Sequence, residues 1–209
     1  MKPPLLVATR SAGKRREIAA ILSGCPYQVV FPDDVGVPER AAEAGLEPAD
    51  SFEGNAKRKA EYFAQLTGLG TAADDSGLEV FALGGQPGVR SRRFAMHSGP
   101  AEEQDAANNA ELLRRLAGAS QARRKARYRC VVVYLAKAGA VPMTFEGTCL
   151  GSIAEAARGT GGFGYDPLFL SDDLGKTFGE AAPEEKHAVS HRGRAFRAFG
   201  QWLAGHPGT

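Results

Sequence analysis

LLVATRSAGKRREIAAIL, residues 5–22, decides how the fold begins. Leu5 to Thr9 is a short apolar run of the kind found in a buried strand, whereas Ile18, Ile21 and Leu22 fall on one face of a helix from Lys14 to Leu22. The chain therefore opens strand, loop, helix. The apolar run from Leu5 to Ala8 is too short for a signal-peptide core or a bilayer span, so a cytoplasmic protein without membrane contact is expected.

Working outward, Tyr27 to Phe31 reads as a second strand, and Pro32 to Asp50, rich in Pro, Gly, Ala and acids, as a long functional loop. Phe52 to Leu66 places Ala56, Ala60, Phe63 and Ala64 on one helical face. A short strand around Ala72 leads into Asp74-Asp75-Ser76-Gly77, then an apolar run from Leu78 to Leu83 and a turn at Gly84 to Gly88. Ala101 to Leu116 predicts a helix. Cys130 to Ala136 and Val141 to Cys149 predict an antiparallel strand pair, and Gly193 to Leu203 an amphipathic closing helix.

With 209 residues, 43% of them hydrophobic, the chain is long enough for one substantial core, or one core with a small second lobe, and a single domain spanning 1–209 is expected. Twenty-six basic against 24 acidic residues leave a formal net charge of +2, which excludes a strongly basic nucleic-acid arm or an acidic tail. The run from Arg123 to Arg129 reads as a solvated loop leading into a strand. Cys25, Cys130 and Cys149 are odd in number and form no CxxC pair, so buried thiols are expected rather than a disulfide framework or a zinc site.

Several short motifs carry chemistry. Ala12-Gly13-Lys14 lacks the earlier glycine and the following Ser or Thr of a Walker site; Lys14 at a helix start suits a phosphate, but the local pattern by itself favours the alternative, a solvated surface lysine. Adjacent carboxylates such as Asp74 and Asp75 diverge at a strand end, so one suits a hard cation and the other a water or ligand; a plain turn is the alternative. Gly159 to Gly164 contains a formal GxGxxG, but Tyr165-Asp166-Pro167 directly after it disfavours the helix that a dinucleotide fingerprint needs. That run offers instead a backbone able to approach a ligand closely, with Phe163 and Tyr165 as flat faces for a base. Ser190-His191-Arg192 groups three donors suited to a carbonyl-bearing base or phosphates, and Ser190 suits a helix cap. Ser76 lacks the GxSxG setting, and no His belongs to an HExxH motif, so serine-nucleophile and zinc hydrolysis lose ground.

Together these segments resemble the inosine/xanthosine triphosphate pyrophosphatase family, nearly end to end. The carrying stretches are VATRSAGKRREI (7–18), SFEGNAKRKA (51–60), ADDSGLEVFALGGQPGVRSRRFA (73–95), GTGGFGYDPLF (159–169), Lys176-Thr177-Phe178 and EKHAVSHRGRA (185–195). The resemblance implies a three-layer α/β/α fold with a long, curved mixed β-sheet and a nucleotide cleft between two lobes. It also implies Mg²⁺ dependence, a homodimer, and conversion of ITP, dITP and XTP, the non-standard purine nucleoside triphosphates, to monophosphate and pyrophosphate. Carried over by position, Lys14, Asn55 and Lys59 contact phosphate, Glu47, Asp74 and Asp75 are the metal-site acids, and Asp75 is also the general base. Phe163, Tyr165 and Asp166, with Lys186, His191 and Arg192, match the base and sugar end, while Thr9, Ser76 and Gly164 complete the substrate contacts. The chain departs from the family's pattern at Arg10-Ser11, where Gly-Asn is usual, at Gly54, where Glu is common, and at Arg92. The rival within the enzyme class is a Maf-type nucleotide pyrophosphatase of different base specificity; the GGFGYDP run and Ser190-His191-Arg192 favour the purine family. A dinucleotide-dependent oxidoreductase would show bound cofactor absorbance, and a nucleic-acid-binding module strongly salt-dependent binding.

Overall fold

The opening apolar run forms strand β1 (Pro4–Val7), in which Leu5, Leu6 and Val7 are all fully buried, as a strand covered on both faces requires. The computed structural model describes residues 2–48 and 50–206. Helix α1 (Ala12–Ile21) follows, its first turn closed by the Ser11 hydroxyl, which accepts from the Lys14 N–H. Strand β2 (Gln28–Val30) pairs parallel with β1, Leu5 opposite Val29. The long loop after it holds two 3-10 turns, Pro32–Val35 and Ala41–Gly45; Ala49 lies outside the described residues. Helix α2 (Phe52–Thr67) starts at the Ser51 cap and buries Ala56, Ala60, Phe63 and Ala64, the face its spacing predicts.

Strand β3 (Thr71–Val80) corrects the sequence reading. Asp74-Asp75-Ser76-Gly77 is not a turn at a strand end but the middle of one ten-residue strand. Two adjacent acids argue against a strand interior on propensity alone; here cations supplied by distant helices reverse that preference. Helix α3 (Ala101–Arg115) leads through a 3-10 turn, Gln121–Arg124, into β4 (Lys125–Leu135), and β5 (Met143–Ile153) comes next. Arg124 is buried rather than solvated: its guanidinium donates to the carbonyls of Leu116, Ala119, Ile153 and Ala154 at 3.0–3.4 Å. Strand β6 (Phe169–Ser171) pairs antiparallel with β5, Ser152 opposite Leu170. Helices α4 (Pro183–Val189) and α5 (His191–Gly205) complete the chain.

The six strands form one mixed sheet in the order β2-β1-β3-β4-β5-β6, with β1 parallel to both of its neighbours. The α/β class and the mixed sheet agree with expectation. The chain divides into two units, the first comprising residues 1–75, 130–147 and 192–209, the second 76–129 and 148–191. In the first, Leu5, Val7, Ile18, Val132, Phe196 and Phe199 belong to one buried cluster; in the second, Leu78, Leu112, Cys149, Phe169 and Phe178 belong to another. Cys25, Cys130 and Cys149 are all buried free thiols. Among the described residues, no helix is long and apolar enough to cross a membrane.

Candidate active site

In the first unit, β3 delivers Asp74 and Asp75 side by side, on opposite faces because successive strand residues alternate. Each meets a different set of partners. Lys14, in the first turn of α1, places its ammonium 2.9 Å from Asp74 Oδ2, and Lys59 of α2 donates at 2.6 Å to both Glu47 Oε1 and the Asp74 carbonyl. The Arg192 guanidinium, 3% exposed, lies 2.5 Å from Glu17 Oε2 and 3.6 Å from Asp74 Oδ2. Asn55 Nδ2 donates to Asp75 Oδ2 at 2.9 Å.

Burial alone would push the Asp74 carboxyl up, but Lys14, Arg192 and Lys59 outweigh it and hold the group well below the usual carboxylate range. Asp75 goes the other way: burial raises its pKa, Glu47 adds to the rise, and the lysines and Asn55 only partly oppose it. Neighbouring residues of one type are thus driven apart, one a fixed anion and the other a readier proton acceptor, the pattern that separates a charge holder from a base. Burial opposes the charge on Lys59, yet Glu47, Asp75 and Asp74 raise its pKa above that of an ordinary lysine. Cys130, its thiol 3.9 Å from Asp74 Oδ2, is pushed up by burial and then by that carboxylate, so it stays protonated.

The donor set also fits a magnesium ion. Asp74 Oδ1 is buried with no hydrogen-bond partner among the described residues, which for a carboxylate oxygen asks for a cation. Among those residues no three His, Cys, Asp or Glu side chains converge as a complete metal cage. Mg²⁺ does not need one, because it binds through one or two carboxylates and completes its shell with water and phosphate. Asp74, Asp75 and Glu47 supply the right oxygen chemistry.

The second unit gathers an aromatic and cationic cluster. His191 stacks on Tyr128 at 4.4 Å between centroids and 8° between planes, and Tyr128 lies over Phe178 at 6.1 Å. Lys186, on the short α4, reaches Asp166 Oδ2 at 2.5 Å with both groups buried, and stands 4.9 Å above the Phe163 ring. Asp166 Oδ2 also accepts from the Phe163 N–H at 2.7 Å. Tyr165 is buried in the core with its hydroxyl donating to Ser91 O at 2.8 Å, so Phe163 is the ring of that loop left half-exposed. Two of the glycines there are filled from within. A Cβ on Gly159 (φ +75°) would fall 2.1 Å from Gly179 O, and one on Gly162 (φ +74°) 2.1 Å from Asp166 Oδ2. These two therefore admit the protein's own chain rather than a ligand, contrary to the sequence reading.

The matched family over residues 5–202 is described as the Ham1 family. The chain belongs to the Ham1 family. Among its Ham1 relatives, the dITP/XTP pyrophosphatase of Thioalkalivibrio sulfidiphilus is 46% identical over 202 residues, covering 96% of this chain and 98% of the relative. That of Geobacter sulfurreducens is 46% identical over 191 residues, covering 91% and 92%. A solved HAM1 protein from Coxiella burnetii superposes with a TM-score of 0.84 at 32% identity, covering 97% of this chain and 99% of that one. The nucleoside-triphosphatase / dITP/XTP pyrophosphatase of Mycobacterium abscessus gives a TM-score of 0.71 at 39% identity, covering 94% and 98%.

Within this Ham1 chain, Lys14, Glu47, Asn55, Lys59, Asp74, Asp75 and Arg192 lie in the first unit, and Phe163 to Asp166, Lys186 and His191 in the second. Ser76 follows Asp75 on β3 and is partly buried, and the Thr9 hydroxyl accepts from the Ser11 N–H at 3.3 Å. Arg10, where the family's glycine is usual, makes a two-pronged pair with Glu43 at 3.0 and 2.8 Å and also binds Asp33. Sequence reasoning missed Glu17, Tyr128, Asp105 and Asn109. Only the last two left a trace, a polar pair four residues apart on a predicted helix.

Proposed function

We propose that the protein is a cytoplasmic, Mg²⁺-dependent nucleoside triphosphate pyrophosphohydrolase that converts ITP, dITP and XTP to the monophosphate and pyrophosphate, cleansing the nucleotide pool. The observation that carries the chemistry is the Asp74–Asp75 pair, one carboxyl held as an anion with an unpartnered oxygen and the other pushed up beside Asn55. The names of the relatives support the substrate class.

Asp74, through its unpartnered Oδ1, with Asp75 or Glu47 beside it, would hold Mg²⁺, which would neutralise charge on the departing pyrophosphate. Asp75 orients a water towards the α-phosphorus and takes its proton, while Asn55 keeps the carboxylate turned. Lys14 and Lys59 supply positive charge to the phosphates. Water adds to the α-phosphorus, the bond to the bridging oxygen breaks, and the two outer phosphates leave together. No covalent enzyme intermediate is required.

For the base, the second unit offers Phe163 as a stacking face and Lys186 and His191 as donors. Hypoxanthine and xanthine present acceptors at O6 and N7, whereas adenine places a donor amino group at C6. A site of donors leaves groups unpaired against adenine, and such mismatches reach ~10⁴–10⁵-fold in kcat/KM. The resemblance assigns Arg192 to the base, but its contacts with Glu17 and Asp74 support a role at the charged end. Base choice is accordingly assigned to the Phe163–Asp166 loop with Lys186 and His191. The enzyme is read as a homodimer without nucleic-acid partners.

The test is the product. ITP with Mg²⁺ is expected to give IMP and pyrophosphate by ion-exchange chromatography, and EDTA to abolish the reaction. Sequential release of orthophosphate with IDP accumulating would overturn the mechanism.

A further inference from the structure

We propose that Asp105 and Asn109 of α3 are positioning residues for base recognition, gripping the Gly164 backbone by both its N–H and its carbonyl so that Phe163 is presented in one orientation. This role rests on the reading of the Phe163–Asp166 loop as the base end of the site.

Residues four apart on a helix stand one above the other on the same face. From that face, Asp105 Oδ2 accepts from the Gly164 N–H at 2.7 Å, and Asn109 Nδ2 donates to the Gly164 carbonyl at 3.0 Å. An acceptor meets the donor and a donor meets the acceptor. Each peptide is a rigid plane, so fixing the plane on either side of a residue fixes that residue's two backbone angles. The plane before Phe163 is held by Asp166 through the Phe163 N–H at 2.7 Å, and the plane after it by Asp105 through the Gly164 N–H. Asn109 then holds the next plane, and the buried Tyr165 hydroxyl anchors the loop to Ser91. In a segment with glycine at 159, 161, 162 and 164, the backbone has much freedom to lose, and these bonds remove it where the half-exposed ring leaves the chain.

The arrangement works against stability, which speaks for a role beyond packing. Asn109 Oδ1 is buried with no hydrogen-bond partner among the described residues, and burial pushes the Asp105 carboxyl up despite the Gly164 N–H. A helix face needed only for cohesion would carry apolar side chains there.

The experiment compares Asp105→Ala, Asn109→Ala, Asp105→Asn and Phe163→Ala on ITP and ATP. Because the base binds away from the reacting phosphorus, loosening the loop removes binding common to ground and transition states. KM for ITP is expected to rise ~10-fold in both alanine variants of the grip, with a much smaller fall in kcat and a narrowed ITP-to-ATP preference. Asp105→Asn keeps an acceptor for the Gly164 N–H and should restore most of the KM. If Asp105→Ala does not fold, Asn109→Ala carries the test. Should Phe163→Ala raise KM while both grip variants keep wild-type KM and base preference, or lose kcat alone, the positioning role is overturned. An unchanged KM in Phe163→Ala would overturn the base-end reading itself, and the positioning role with it.

Discussion

Asp75 differs from its neighbour Asp74 in its surroundings rather than its chemistry, and that difference is measurable. Asp75→Asn preserves the contact volume and removes the base, so turnover should fall by ~10²–10⁴-fold in single-turnover assays while thermal stability is kept. Near-native turnover would move the base to Glu47. Asp105 allows a second residue-level test, of pH. Burial raises its folded pKa above the unfolded value, so its contribution to stability is fully present below the unfolded pKa and is lost as pH rises through the folded one. At neutral pH the ionised group weighs against the fold. Asp105→Asn should therefore gain more in Tm relative to wild type at pH 7 than at pH 4, and a gain larger at acid pH would contradict the assignment. Legibility at this scale was uneven. Lys14, Asp74 and Asp75 stood out by residue type, but local pattern alone favoured a surface lysine and a plain turn, and only the resemblance gave them roles. His191 and Arg192 were not separable by it: adjacent in sequence, they leave a helix start about 100° apart, and one joins Tyr128 while the other joins Glu17 and Asp74.

Elements were legible where an apolar period ran long enough, as in α2 and α3, and not where a few residues were set by distant partners. Strand β6 has three residues and α4 seven, too few for a period to show. In β3, the acids that suggested a turn are tolerated because Lys14, Asn55 and Lys59 arrive from two helices. The turn before β4 misled in the opposite sense, since Arg124 in a basic run donates to four buried carbonyls. Replacing it with Leu strands those carbonyls in the interior and should destabilise the protein by about 1–3 kcal/mol, read as a lower urea midpoint. Arg124→Lys, with three donors in place of the guanidinium's five, should recover part of the loss. An unchanged midpoint in Arg124→Leu would show that water replaces the guanidinium.

At the scale of the whole chain, β3, β4 and β5 each contribute residues to both units. A single cooperative domain is the proposed consequence. Trp202, the one tryptophan, lies in the first unit 5.7 Å from Tyr134 and 5.9 Å from Phe145, whereas Leu112 is buried in the second. Leu112→Ala should cost about 2–5 kcal/mol and lower the midpoints by tryptophan fluorescence and far-UV circular dichroism together. A fluorescence midpoint that stayed put would mean the units melt separately. The end-to-end likeness made the fold class legible, but not the interleaving of the two cores, which depends on contacts between segments far apart in the chain. That interleaving bears on synthesis at the ribosome. Leu5 and Val7 are made long before Ala195, Phe196, Phe199 and Leu203, which belong to the same cluster. The second unit's segments are complete once His191 has been added. The nascent protein thus has everything for its second core before it can complete its first, and the cluster around β1, although β2 and β3 are already at hand to pair with it, closes only once α5 has been made.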